Sequence, residues 1–185
     1  MKKRFSVYDM VAVGLMAALV FVFTYLHIDI PTPLTNTMLH LGNVMCLLSA
    51  LLFGSARGGL AAGLGSMIYD MMDPRYLPTC WLTFLMKFAM GWVCGKLCGG
   101  SKNVLRQTLS AAAGSATYVL LYVGKTFVMN YWVEGYELET VLATVATKGT
   151  ASAVNGIIAV VGAVLLARAI RPALEKAGIF KQQRG

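Results

Sequence analysis

Apolar runs separated by short polar breaks organise this chain from one end to the other. Read between the breaks, they predict six helices, over about 8–26, 38–54, 57–72, 78–98, 105–131 and 138–169. The first stops before "HIDIPTPLTN", where Pro31 and Pro33 forbid a helical continuation. The third is short and glycine-rich. Its "GGLAAGLGS" contains Gly59-x-x-x-Gly63, a spacing that lets another helix approach its backbone closely. Several runs reach the length of a membrane span, which needs about 20 helical residues. The first run lacks a small-x-small cleavage pattern and more spans follow it, so it reads as a retained helix rather than a signal peptide. No internal repeat or second domain is visible, and residues 1–185 read as a single membrane domain.

Composition agrees. Of 185 residues, 57% are hydrophobic and 13% charged, about half the charged share of an ordinary soluble domain. The expected fold is therefore an all-α integral membrane protein with six transmembrane helices. Charge then orients it. With the N-terminus in the cytoplasm, the cytoplasmic segments hold Lys2, Lys3, Arg4, Arg57, Lys96, Lys102, Arg106, Arg168, Arg171, Lys176, Lys181 and Arg184. The external loops hold Arg75 with Asp29, Asp73, Glu134, Glu137 and Glu139. Both termini are expected in the cytoplasm. The net charge of +8 is thus an orientation signal, with no nucleic-acid partner implied.

Three basic residues fit neither group: Lys87 in "TFLMKFAM", Lys125 in "YVGKTFVM" and Lys148 in "VATKGTAS". Lys87 sits about nine residues into its helix, roughly 13 Å deep at 1.5 Å per residue. Lys125 and Lys148 fall at comparable depths in the outward half of the last two helices. A lysine at the centre of a span costs about 2.5–3.5 kcal/mol on insertion scales, so three together predict a polar cavity open to the outside. Neighbouring side chains fit one. Tyr118, Lys125 and Trp132 are spaced by sevens on one face, with Tyr122 and Met129 alongside. Thr144, Lys148, Ser152 and Asn155 make a polar stripe on the sixth helix, and Thr83 and Cys80 lie above Lys87 on the fourth. His40 and Asn43, at the outer start of the second helix, are within reach. Rings beside cations and amides suit a flat heterocycle bearing an anionic or strongly polar group. Structural readings compete: an ion pair of Lys87 with Asp70, snorkelling of Lys125, an inter-helix bond from Lys148. The loops 28–37 and 70–79 are placed to act as lids.

Other chemistry is thinly represented. Cys94 and Cys98 lie four apart without further ligands nearby, so Cys46, Cys80, Cys94 and Cys98 read as reduced packing residues and no metal site is expected. "GLGS" does not match the Gly-x-Ser-Gly of an intramembrane serine protease, and no paired carboxylates face each other deep in a span. An intramembrane enzyme and a ligand-free assembly protein are the alternatives. The first lacks catalytic residues, and the second has no use for three intramembrane lysines.

The stretch His40–Gly95 resembles the S components of energy-coupling factor (ECF) vitamin transporters, in particular the riboflavin-transporter-like branch. The likeness rests on Gly42-Asn43, Leu52-Phe53-Gly54, the glycine-rich run from Gly63 to Asp70, and Thr83-Phe84 with Lys87. The resemblance implies a substrate-binding subunit of a bacterial cell membrane, without cofactor or enzymatic activity. Such a subunit captures a water-soluble vitamin or precursor at the outer face, in a pocket formed mainly by the last three helices. It docks on a transmembrane coupling subunit that carries two cytoplasmic ATPases. The chain has no Gly-x-x-x-x-Gly-Lys-(Ser/Thr) loop of its own. Where family members often carry Ala-x-x-x-Ala on the first helix for docking, this chain has Gly14-x-x-x-Ala18. On this resemblance Lys87 serves the common scaffold, and Lys125 and Lys148 point to the particular ligand. Riboflavin is the family default, and two extra cations favour a carboxylate- or phosphate-bearing compound.

Overall fold

The computed structural model describes residues 6–34 and 36–179. Lys2, Lys3, Arg4, Lys181 and Arg184, assigned above to the cytoplasmic side, lie outside them. Six α-helices form the body: α1 (Val7–Tyr25), α2 (Gly42–Phe53), α3 (Ser55–Met72), α4 (Cys80–Cys98), α5 (Val104–Val128) and α6 (Leu138–Lys176). Local chemistry sets several ends. Ser6 and Asp9 close a capping box on α1, Asn103 caps α5 by accepting from Leu105 and Arg106, and Gly99, at φ 56°, terminates α4.

Three expectations are corrected, the simplest being the sixth helix, which continues past 169 to Lys176. The segment taken as an open loop before the second helix is a β-hairpin, β1 (His27–Pro31) against β2 (Asn36–His40), with Ile28 opposite Leu39 and Ile30 opposite Thr37. Its β-branched residues alternate along a short strand, a pattern easily lost beside two prolines. The second helix consequently starts at Gly42 rather than near residue 38, and His40 belongs to the hairpin. The fifth helix does not run unbroken to 131 either. After Val128 it widens into a π turn (Met129–Val133), marked by the bond from Glu134 N to the Met129 carbonyl, 2.9 Å.

The 12-residue α2 is buried along almost its whole length, from Gly42 to Leu52. Its sequence, GNVMCLLSALLF, is apolar all round, as a central helix requires. The others surround it: α3 lies between α1 and α4, α5 follows α4, and α6 closes the ring against α5 and α2. Glycine sets the closest approach. A Cβ on Gly91 of α4 would stand 2.8 Å from the Gly59 Cα of α3, and one on Gly65 would stand 2.4 Å from the Ala17 carbonyl of α1. The apolar core gathers Val13, Leu47, Leu51, Met90, Cys94, Ala111 and Ala163 toward the end where α1 begins and α6 finishes. Large apolar side chains such as Leu15, Leu109, Leu120, Ile157 and Leu165 are exposed around the outside. Three helical segments among the described residues are long and apolar enough to cross a membrane: Val7–Tyr25, Leu77–Cys98 and Leu138–Lys176.

Candidate functional site

Polar and charged residues collect at the opposite end from the core, under the hairpin, around a cavity of about 350 Å³. Helices α3 to α6 supply its walls. Met38 and His40 of the hairpin and Arg75, Tyr76 and Thr79 of the α3–α4 connection cover it. That connection ends in a 3-10 turn (Leu77–Thr79).

Seven of the ten expected site residues line this cavity: His40, Asp70, Thr83, Lys87, Tyr122, Lys125 and Lys148. The convergence of three lysines from α4, α5 and α6 is the main feature of the site. Each is held differently. Lys87, 2% exposed, donates to the Asn43 side-chain oxygen, and its ammonium stands 3.8 Å from the centre of the Tyr118 ring. The considered ion pair with Asp70 is not formed among the described residues; Asp70 lines the cavity beside Thr83. Lys125 donates to the Thr79 hydroxyl at 2.9 Å, tying α5 to the cover. Lys148 is buried on α6 and makes no hydrogen bond or ion pair among the described residues. The inter-helix bond considered for it is therefore not formed.

The other three expected residues sit elsewhere. Asn43 is buried beneath the cavity and accepts from Lys87. Asn155 braces the hairpin from α6: its side-chain oxygen accepts from His40 N at 3.0 Å, and its amide nitrogen donates to the Met38 carbonyl at 2.8 Å. Trp132 is 75% exposed and packs edge-on against Tyr131. Spacing by sevens would have placed it beside Lys125 only in a continuous α-helix. The π turn advances less per residue and leaves the indole outside the stripe.

The same turn carries a residue that the spacing did not reveal. Asn130 is 7% exposed, lines the cavity, and its amide nitrogen has no hydrogen-bond partner among the described residues. Tyr118 and Tyr122 stack at 5.7 Å, interplanar 15°, and form an aromatic wall, with the Tyr122 hydroxyl 3.4 Å from Thr37 of the hairpin. Over the rim, Arg75 bonds Asp73 at 2.7 Å and reaches Asp29 of β1 at 3.2 Å. The guanidinium holds the Asp73 carboxyl below its usual range. Arg75 thereby joins the α3–α4 connection to the hairpin. Among the described residues no three His, Cys, Asp or Glu side chains group as a metal site would require. Cys46, Cys94 and Cys98 are buried, while Cys80 is half-buried at the start of α4.

The first helix presents Gly14 and Ala18 on an exposed face with Met10, Val11 and Leu15. A Cβ on Gly14 would meet nothing within 4 Å.

The sequence profile described as "ECF-type riboflavin transporter, S component" matches residues 4–172. A protein of Pyrococcus woesei, described as "Uncharacterized protein in gap 3'region", is 32% identical over 106 residues, covering 57% of this chain and 70% of that protein.

Proposed function

From the premise that the chain belongs to the family of ECF-type riboflavin transporter S components, a family of membrane transport subunits and not of enzymes, we propose that its cavity captures a water-soluble vitamin or vitamin precursor for ATP-driven uptake. The observation that carries this reading is the meeting of Lys87, Lys125 and Lys148 with a stacked tyrosine pair in one cavity. A buried cavity of that make-up has no use in a ligand-free assembly protein, where intramembrane charge is only a cost.

All six helices cross the membrane in this reading. The short α2, roughly 18 Å at 1.5 Å per residue, does so as the sheathed centre of the bundle and is completed by the hairpin. Charge supports the orientation. Arg57, Lys96, Lys102, Arg106, Arg168, Arg171 and Lys176 belong to the end where α1 begins and α6 finishes, and Asp29, Asp73, Glu134, Glu137 and Glu139 to the cavity end. The basic end faces the cytoplasm and the cavity faces outward. The partner is a transmembrane coupling subunit bearing two ATPases. It packs on α1 across Gly14 and Ala18, where the small side chains are exposed and Gly14 has open space among the described residues, leaving room for another helix.

Mass spectrometry of small molecules released from the detergent-purified chain, expressed in rich medium, tests the capture role. A stoichiometric vitamin-like compound is expected, and an empty protein that also fails to support uptake with its coupling partners refutes the reading. Docking has its own test. Gly14→Leu and Ala18→Leu are expected to leave ligand affinity unchanged and to abolish ATP-dependent uptake in reconstituted vesicles. Normal uptake by both variants would move the docking surface elsewhere.

A further inference from the structure

Among the described residues, every cation of the cavity except one has a partner. Arg75 is occupied by Asp73 and Asp29, Lys125 by the Thr79 hydroxyl, and Lys87 by Asn43 and the Tyr118 ring. Lys148 has none among the described residues, although it is only 9% exposed. A buried ammonium with no counter-charge or acceptor in contact is costly in a bilayer interior, and persists where function requires it. The acids lining the cavity are Asp70 and Glu134, and neither makes an ion pair with Lys148.

A second donor in the same cavity is also unused. The Asn130 amide nitrogen is buried without a partner, at the point where the π turn replaces the α-helix. Buried donors are almost always satisfied, so an orphan facing a cavity marks what the cavity is built to receive. An ammonium and an amide N–H both lack the same thing: an oxygen that accepts. The tyrosine pair on α5 presents a flat aromatic wall within the same cavity.

We infer that Lys148 and Asn130 form an oxyanion subsite, which takes the carboxylate or phosphate of a flat aromatic ligand whose ring lies against Tyr118 and Tyr122. The inference rests on the reading of this cavity as the capture site. It differs from that reading in committing to an anionic ligand, bonded by charge-assisted hydrogen bonds from α6 and the π turn.

Equilibrium binding to the isolated full chain in detergent tests it by titration calorimetry, independently of whether ATP drives uptake. The probes are two matched pairs: nicotinate with nicotinamide for a carboxylate, and riboflavin 5′-phosphate with riboflavin for a phosphate. The anionic member of one pair is expected to bind about ten- to a hundred-fold more tightly than its neutral partner, and the pair that responds identifies the group. Lys148→Met should erase that preference by weakening the anionic member alone, and Asn130→Leu should reduce it. Neither side chain makes a bond among the described residues that holds the fold, and the wild-type preference stands as a test even if a variant fails to fold. Equal affinities within both pairs, tighter binding of the neutral members, or no binding by any of the four probes overturns the inference. So does a preference that survives Lys148→Met. A neutral ligand retained and transported would overturn the oxyanion subsite and leave the capture role intact. Anion binding without ATP-dependent uptake would do the reverse.

Discussion

Lys87 and Asn43 form the buried polar contact on which the floor of the cavity depends. Both side chains are almost fully enclosed, at 2% and 1% exposure, and Lys87 reaches past the cavity wall to bond the first turn of α2. Removing the lysine alone strands the Asn43 oxygen in an apolar surround, at a cost of about 1–3 kcal/mol. Lys87→Met is accordingly expected to lower the thermal midpoint in detergent, and the double variant Lys87→Met with Asn43→Leu to regain much of the loss. Additive destabilisation in this double-mutant cycle would show that the pair is not coupled. Much at this scale was legible in the sequence, because a lysine in a long apolar run is conspicuous. Asn130 was not. An asparagine near a helix end is commonplace, and only the π turn separates its environment from that of Trp132, two positions on.

The elements divide between those that periodicity reveals and those that it cannot. Six helical runs were evident from length and apolar content, and five of them lie within a few residues of their expected bounds. The hairpin was missed because five-residue strands carry little period-2 signal, and Pro31 and Pro33 read first as breakers. The glycine seams were partly visible as Gly59-x-x-x-Gly63, but not the partner glycine that meets them on α4. Those seams predict sharply unequal effects for one substitution type. Gly91→Ala would put a Cβ 2.8 Å from the Gly59 Cα, backbone that side-chain motion cannot relieve. It is expected to broaden or abolish cooperative unfolding and to shift the protein toward aggregates on size-exclusion chromatography. Gly14→Ala, with open space around it, should unfold like the wild type, and a matching loss of stability there would mean that α1 packs more tightly than described.

Across the whole molecule, an apolar core at one end supports a polar cavity at the other, and Arg75 links the two covers of that cavity. Arg75→Gln is expected to speed ligand release several-fold in a stopped-flow chase while membrane insertion is unchanged. An unaltered release rate would remove the covers from the release pathway. The pH dependence enters through Asp73, which positions the Arg75 guanidinium that reaches Asp29 of the hairpin, and whose carboxyl that guanidinium holds below the usual 3.8. A depressed acid contributes its stabilisation above its unfolded pKa and loses it as pH falls through the folded value. Release governed by this contact should therefore stay flat from neutral pH down to about pH 4 and quicken only in stronger acid. Acceleration already near pH 6 would assign the control to another group.

The π turn at Met129–Val133 has a consequence for how such a chain changes over evolutionary time. Because it holds one residue more than an α-turn would over the same rise, it can absorb a single-codon deletion without breaking the helix. Such a deletion would leave the residues on either side in their places and change which side chain the turn itself presents to the cavity. Point mutation alters one wall position at a time, whereas a change of length here resets several positions of the turn in one event. Diversification of ligand choice among relatives of this chain should leave its clearest trace as length variation between Lys125 and Leu138.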